Sequence, residues 1–400
     1  MVRKIKKPVN IPRIVIWGGW YGSRNVGDRL LLITIADILF ENNDQIDLTI
    51  LSAKPEFVNE YFICPDNSTY RIIKPKKNFL KLLYLLATCD LLIFGGGAPF
   101  YDEYEHAIEM IIIILTVKLF KKPYFLWCNT SYEIKRPIIR TIYKNIVDGA
   151  IKITCRDKYT YNIFSGLGII HEPEIVKDPV FSLANFDKED ADRIIHKYLP
   201  KLDHPKLFAL TPRTLRTKNA EAQTHYNEKT IEEIQHQFEV YSIALEWLLD
   251  KGYIPIFIPM NTYFPDDDRI IAKKIIDGSK KKGKDVILVD EIVMPRTAPA
   301  LYSYCQGSLV SRVHGSVTSF LGNCGPIMYG FEKKHIGIME SMGIANLVFD
   351  VHSKPEGIID LLQYLENDRP KIQKLMKNTK DELASKARIP YNKYLSSLFL

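Results

Sequence analysis

Short unbroken runs of Val, Ile and Leu alternate along this chain with longer segments whose apolar residues recur every three or four positions. Runs without polar alternation suit strands covered on both faces, and the longer period suits amphipathic helices. The pattern predicts strands over 13–17 (RIVIW), 47–52, 90–94 (DLLIF), 123–127 and 151–154, with helices over 28–40, 79–87, 106–120 and 137–147 between them. It weakens over 178–205, where 185–192 is polar. It then restarts, with strands at 207–211, 254–259, 286–289, 308–311 and 326–329 and helices at 230–251, 268–277, 298–305 and 315–322. Strand–helix–strand repetition of this kind argues for doubly wound α/β domains. The expected architecture is two Rossmann-like domains, residues 1–190 and 191–400, the second ending in lysine-rich surface helices over 371–388.

The chain has 400 residues, 46% hydrophobic and 25% charged, an ordinary globular composition that excludes disorder, collagen and a disulfide-stapled miniprotein. Its 54 basic and 47 acidic side chains leave +7. That mild surplus suits an anionic small molecule or an acidic membrane surface and is too weak to argue for nucleic acid. None of the six cysteines forms a CxxC pair, so Cys128 and Cys155, in or beside apolar runs, read as buried free thiols in a reducing compartment. The opening MVRKIKKPVNIPR has no apolar core and no small-residue cleavage site, so no signal peptide is expected. The longest apolar stretch, 111–119, is broken by Lys118 and falls short of the ~20 residues a span requires. A cytoplasmic protein is expected. Its basic arm of Arg3, Lys4, Lys6, Lys7 and Arg13 reads as a solvated tail or as a contact with anionic lipid at the inner face of the membrane.

Four segments carry candidate chemistry. The first is 18–28 (GGWYGSRNVGD), between a strand and a helix, where Gly22, Asn25 and Asp28 form a substrate loop or a tight turn capped by Asp28. It lacks the G-x-G-x-x-G spacing of a dinucleotide loop. The second is Gly95-Gly96-Gly97 at a strand end, which implies close approach by something, followed by Asp102, Glu103 and Glu105. Asp102 is placed to take a hydroxyl proton, or the acids serve a helix N-terminus. The third is Ser311-Arg312-Val313-His314-Gly315-Ser316 before an apolar helix. If this segment is extended, Arg312 and His314 point to one side, the arginine for an anion and the histidine for a proton. The fourth is Arg213, past the strand at 207–211, with Arg216 competing for the same role. Arg213 and Arg312 reach one anion if their strands are neighbours, and Lys333, Lys334 and His335 follow a third strand end.

Taken in order, these segments resemble the polysaccharide pyruvyl transferase family. The resemblance runs over most of 13–350. It rests on Asn25-Val26-Gly27-Asp28, on Gly95-Gly96-Gly97 with Asp102, and on Arg156, Asp157 and Thr160 with Leu167-Gly168-Ile169. It continues through Asp178-Pro179, Arg213, Arg312-Val313-His314-Gly315, and Gly325-Pro326 through Tyr329 with Lys333 or Lys334. Two positions depart from the family's pattern. Arg29 stands where Glu is common, and Ala98-Pro99 follows the triple glycine in place of a serine and a longer side chain. Both fall in the first domain, which by resemblance handles the acceptor.

The resemblance implies two Rossmann-like domains in a glycosyltransferase-B-like arrangement, phosphoenolpyruvate as donor, a sugar as acceptor and a pyruvate ketal as product. That chemistry requires no metal, no clustered ligand set is visible in the sequence, and no cofactor is expected. Phosphoenolpyruvate carries a phosphate and a carboxylate, so Arg213, Arg312 and Lys333 or Lys334 are the expected cations. His314 is the expected acid at the vinyl carbon, with Asp28 or Asp102 as base and Gly22, Asn25, Gly95, Gly96, Gly97, Gly315 and Ser316 lining the substrates. The acceptor, whether lipid-linked, nucleotide-linked or a finished glycan, is not readable from the residues, and neither is the oligomeric state. A nucleotide-sugar glycosyltransferase or epimerase, with Glu332 on the ribose, is the alternative on the same architecture. A sugar-binding scaffold is a third.

Overall fold

A computed structural model of the chain describes residues 11–200, 205–215, 230–281, 285–330 and 333–398. The chain divides into two compact units. The first gathers Met1–Gly22, Leu31–Pro179 and Ala387–Leu400, and the second gathers Ser23–Leu30 and Val180–Lys386. The division falls at Pro179–Val180, where the polarity pattern points to about residue 190. The helix Lys188–Tyr198 is the reason, because it fastens to the second unit. Asp187 N–H donates to the Arg296 carbonyl at 3.0 Å and Thr297 Oγ1 to Asp190 at 2.8 Å.

The first unit is built on seven parallel strands: β1 (Arg13–Trp17), β2 (Asp47–Leu51), β3 (Thr69–Ile73), β4 (Leu91–Gly95), β5 (Tyr124–Asn129), β6 (Ile153–Cys155) and β7 (Glu174–Ile175). They run in the order β3-β2-β1-β4-β5-β6-β7. Every residue of β4 and β5 is buried, which explains runs with no polar alternation. The second unit has six parallel strands: β8 (Leu207–Thr211), β9 (Ile254–Phe257), β10 (Ile287–Leu288), β11 (Cys305–Val310), β12 (Pro326–Gly330) and β13 (Val348–Asp350), in the order β10-β9-β8-β11-β12-β13. In both sheets the winding reverses between the first and fourth strands. Such a switch point, at the carboxyl ends of the strands, is where open α/β sheets hold ligands. The switch points here lie at β1/β4 and β8/β11.

Several expectations shift. Cys305, expected to end a helix, instead opens β11, and the helix before it is Thr297–Ser303. The expected surface helices over 371–388 are part of one 33-residue helix, Ile358–Pro390. Ile372, Met376, Leu383 and Ala387 on one face of it are buried, so it packs as well as solvates. The lysine cluster at 280–284, whose KKKGK run reads as a solvated loop, lies partly outside the described residues. Within it, Lys281 pairs with Glu246 and Asp250. All six cysteines are free and all but Cys64 are buried. Among the described residues, no helix is long and apolar enough to cross a membrane and no group of three metal-ligating side chains occurs.

Past the ends of β6 and β7, Arg156 pairs with Asp178 at 3.0 Å, with the two side chains 9% and 0% exposed. Asp157 caps the helix Lys158–Ser165 by accepting the Thr160 N–H at 2.7 Å. These residues hold the far half of the first sheet together. Removing one member of a buried pair leaves an uncompensated charge and costs about 3–5 kcal/mol. Asp178→Ala is therefore expected to lower the stability of the chain by about that much in denaturant unfolding. Loss below about 1 kcal/mol would show that the pair is not the fastening.

Candidate functional site

β8 and β11 lie side by side in parallel register, Thr211 opposite Val310. Their ends are clamped from behind. The buried Tyr241 hydroxyl donates to the Thr211 carbonyl at 3.0 Å and lies 2.7 Å from Ser311 Oγ. Thr211 Oγ1 lies 2.7 Å from the Tyr302 hydroxyl, and Ser311 N–H donates to the Thr211 carbonyl at 3.0 Å. Burial pushes both tyrosines up, so they stay neutral. Arg213 and Arg312 each stand two residues beyond the paired positions. The main chain at Arg213 is fixed by Gln237, whose Nε2 donates to its carbonyl at 2.7 Å.

Arg312 does not simply project from this edge. Its Nε and Nη2 grip Asp268 in a two-point pair at 2.8 and 2.7 Å, with the side chains 9% and 1% exposed. Asp268 also accepts from Thr214 N–H at 3.2 Å, Met260 N–H at 3.2 Å and Asn261 N–H at 2.9 Å. One carboxylate thus ties the segments that follow β8, β9 and β11. Burial pushes the Asp268 carboxyl up, and the Arg312 guanidinium opposes that rise. Asp266 and Asp28 add to the negative field around Arg312.

Asp28 arrives there on the segment 23–30, a short loop running into the first turns of a helix, which belongs to the second unit. Asn25 forms an antiparallel bridge with Asn261, Val26 N–H donates to the Met260 carbonyl at 2.8 Å, and Thr262 N–H donates to the Arg24 carbonyl at 3.3 Å. The helix cap is Asn25 and not Asp28. The helix begins at Val26, and Asn25 Oδ1 accepts the Gly27 N–H at 2.8 Å. Asp28 sits in the first turn and accepts from Ser23 Oγ at 3.2 Å. Arg29, one of the departures from the family's pattern, is wholly buried and donates from Nε to the Ser23 carbonyl at 2.8 Å, bracing the loop.

His314 packs against this loop. A side-chain carbon on Gly27 would fall 2.2 Å from His314 Nδ1, so only glycine lets the imidazole lie there. His314 is not two residues along a strand from Arg312. β11 ends at Val310, Arg312 is the extended N-cap, and His314 is already in the helix Val313–Leu321. The shared direction inferred from a two-residue period therefore does not apply. Both residues start from one strand end, Arg312 at the N-cap and His314 in the first turn. Gly315 is buried against Val310. Ser316 is buried too, and its hydroxyl donates to the Val313 carbonyl at 2.7 Å, so it serves the helix. Lys334 is half-buried in the helix Lys333–Ser341 past β12, and His335 is buried. The Lys333 side chain, Arg216 and Glu332 lie outside the described residues.

The remaining candidates belong to the first unit. Gly95 ends β4, and Gly96 and Gly97 follow it with φ of +65° and +76°. Their empty Cβ positions face the chain itself: Tyr21 Oη at 2.8 Å, Leu31 at 2.9 Å and Gly19 Cα at 3.3 Å. Gly22 meets Ser52 Oγ and the Lys54 backbone in the same way. Asp102 Oδ1 accepts the Arg136 N–H at 3.2 Å, and its carbonyl accepts Arg136 Nη1 at 2.9 Å. The described arrangement therefore brings together Asn25, Asp28, Arg213, Arg312, His314, Gly315 and Ser316, with Asp268 and Tyr241 added as unforeseen members. The run Asp266-Asp267-Asp268 before an apolar helix was the visible signal for Asp268, and it reads equally as ordinary N-terminal acids.

The chemistry available is anion binding beside a proton carrier. Arg312 is the N-cap of a helix whose first-turn N–H groups lack helical acceptors and whose N-cap makes no side-chain cap bond, and Arg213 follows the neighbouring strand end.

Comparison with known proteins agrees with this frame. The amylovoran biosynthesis protein AmsJ of Erwinia amylovora is 22% identical over 380 aligned positions, covering 84% of this chain and 87% of that protein. Among solved structures, the trehalose-6-phosphate synthase OtsA matches with a TM-score of 0.59 at 10% identity, over 97% of this chain and 98% of its own. The UDP-GlcNAc 2-epimerase of Neisseria meningitidis, bound to UDP-GlcNAc, matches with a TM-score of 0.56 at 12% identity, over 97% and 100%. At that identity the likeness shows the fold alone, two Rossmann-like doubly wound domains of the glycosyltransferase-B class. The profile of the polysaccharide pyruvyl transferases matches residues 25–330, most of the chain from Asn25 to the end of β12, and the chain belongs to that family.

Proposed function

We propose that this chain moves the enolpyruvyl group of phosphoenolpyruvate onto a sugar of a cell-surface polysaccharide or its precursor and closes it into a pyruvate ketal. The observation that carries the reading is the meeting of Arg213, Arg312, His314 and a helix N-terminus at the β8/β11 switch point. In this reading Arg213 and the N–H groups of Val313–Leu321 hold the phosphate. Arg312 presents Nη1, the nitrogen outside its pair with Asp268, to the carboxylate. Lys334 or Lys333 supplies a third positive charge.

His314 gives a proton to the vinyl methylene, which becomes a methyl group, and the adjacent carbon takes up positive charge. A sugar hydroxyl attacks that carbon and yields its proton to a carboxylate, for which Asp28 is placed in the same unit. The carbon–oxygen bond to phosphate then breaks, the phosphate leaves with its electron pair, and a second hydroxyl closes the ketal. Two hydroxyl protons are lost. One balances the new methyl hydrogen and restores His314, and the other leaves with phosphate.

A thermal-shift panel of phosphoenolpyruvate, UDP, UDP-GlcNAc, GDP and CMP tests the donor without needing an acceptor. A ligand at ~100 times its Kd adds about 2.7 kcal/mol. Phosphoenolpyruvate is expected to raise the melting temperature of the wild type and not of Arg213→Ala. A rise with a uridine nucleotide and none with phosphoenolpyruvate would replace this reading with nucleotide-sugar chemistry.

Two substitutions test the proton donor. His314→Ala is expected to cut phosphate release from phosphoenolpyruvate, assayed with a cell envelope extract as acceptor, by roughly 10²–10⁴-fold while leaving donor binding in place. Gly27→Ala adds only the carbon that would strike the imidazole, and alanine is the better helix former by up to ~1 kcal/mol. Its turnover is expected to fall at least tenfold with donor binding retained. Full turnover in either variant would remove His314 as the acid.

A further inference from the structure

One surface of the first unit is not explained by donor chemistry. In the helix Tyr104–Leu119, Ile108, Ile112, Leu115 and Leu119 are 50%, 41%, 57% and 76% exposed. With Tyr104 they recur every three or four residues, which places them on one face along the helix. The neighbouring helix Phe79–Thr88 adds Leu80 and Tyr84, 81% and 66% exposed. The two helices pack together, and a cavity of about 380 Å³ beside them is lined by apolar residues such as Phe79 and Ile112 and, at its charged side, by Lys76, Glu103, Glu105 and Glu109. A contiguous apolar face of this kind on a water-facing helix marks an interaction site.

Charge says what it meets. Lys76, Lys77 and Lys81 stand exposed at the start of the shorter helix, and Lys118 and Lys121 at the end of the longer one. Glu105 and Glu109 are the acids on the longer helix; burial pushes the Glu109 carboxyl up, and the charge of Lys76 opposes that rise. Lysines at both ends of an apolar stripe match an anionic lipid surface, where the apolar side chains enter the acyl boundary and the lysines meet headgroups. A second copy docked on the same face about a two-fold axis would bring one basic surface against another.

We propose that the face formed by the helices Phe79–Thr88 and Tyr104–Leu119 docks the protein on an anionic membrane. This does not depend on the identity of the donor. It differs from a contact through the basic arm at residues 3–13, which lies apart from both helices in sequence.

The test is co-sedimentation of the full chain with vesicles of phosphatidylcholine alone and of phosphatidylcholine with about 30 mol % phosphatidylglycerol, which carry a negative surface potential. The expected result is binding to the anionic vesicles, weakened by salt. The pair Leu115→Ser and Leu119→Ser, both surface positions, should bind at least tenfold more weakly with an unchanged thermal melt. Lys76→Glu with Lys77→Glu and Lys81→Glu should weaken binding by roughly fivefold or more per lysine. Three outcomes overturn the proposal. The first is no sedimentation with anionic vesicles, and the second is unchanged binding by the leucine variant. The third is a concentration-dependent dimer in light scattering that the leucine variant breaks, which would assign the face to a second copy.

Discussion

The second unit depends on one buried carboxylate. Asp268 receives two nitrogens of Arg312 and three main-chain N–H groups, and these come from the segments after β8, β9 and β11. A buried ion pair earns little net stability by itself, because desolvating both charges offsets most of their attraction. What it does supply is geometry. With Asp268 in place, Arg312 is held at the N-cap of Val313–Leu321, Thr214 is held beside Arg213, and Met260 and Asn261 are held where the segment 24–26 pairs with them. The loop in turn brings Gly27 against His314. The anion site and the proton donor of the proposed reaction are therefore set by one network, and Arg312 acts in it first as a positioning residue.

The glycines divide into two kinds. Gly22, Gly95, Gly96 and Gly97 make room for the first unit's own chain, with Tyr21, Ser52 and Leu31 filling the space a side chain would need. Gly27 makes room for a histidine instead. A glycine that admits a titratable ring is a sharper pointer to chemistry than three in a row at a strand end. The family membership shown by residues 25–330 begins at this loop.

The two sheets were legible because their strands are buried on both faces, which leaves runs such as RIVIW and DLLIF with no polar interruption. β3 was not, because TYRII is a half-exposed edge strand, and β7 and β13 are too short to show a period. The helix Ile358–Pro390 hides a buried stripe beneath abundant lysines and includes Pro370 and Pro390, so composition suggests a surface tail. At the site, the neighbouring strand ends placed Arg213 and Arg312 together, as their positions after apolar runs suggested. The partnership of Arg312 with Asp268 spans 44 residues and has no local signature. The same holds for the contact between Gly27 and His314. Side-chain pairings across crossovers are decided by tertiary packing, and a single sequence does not display them.

The most direct test of the central claim is the position of the donor in a crystal of the full chain grown with phosphoenolpyruvate. Density is expected beyond β8 and β11, with the phosphate beside Arg213 and the first turn of Val313–Leu321 and the vinyl carbon within reach of His314. Density in the first unit beyond β4, or an empty β8/β11 switch point at saturating phosphoenolpyruvate, would contradict it.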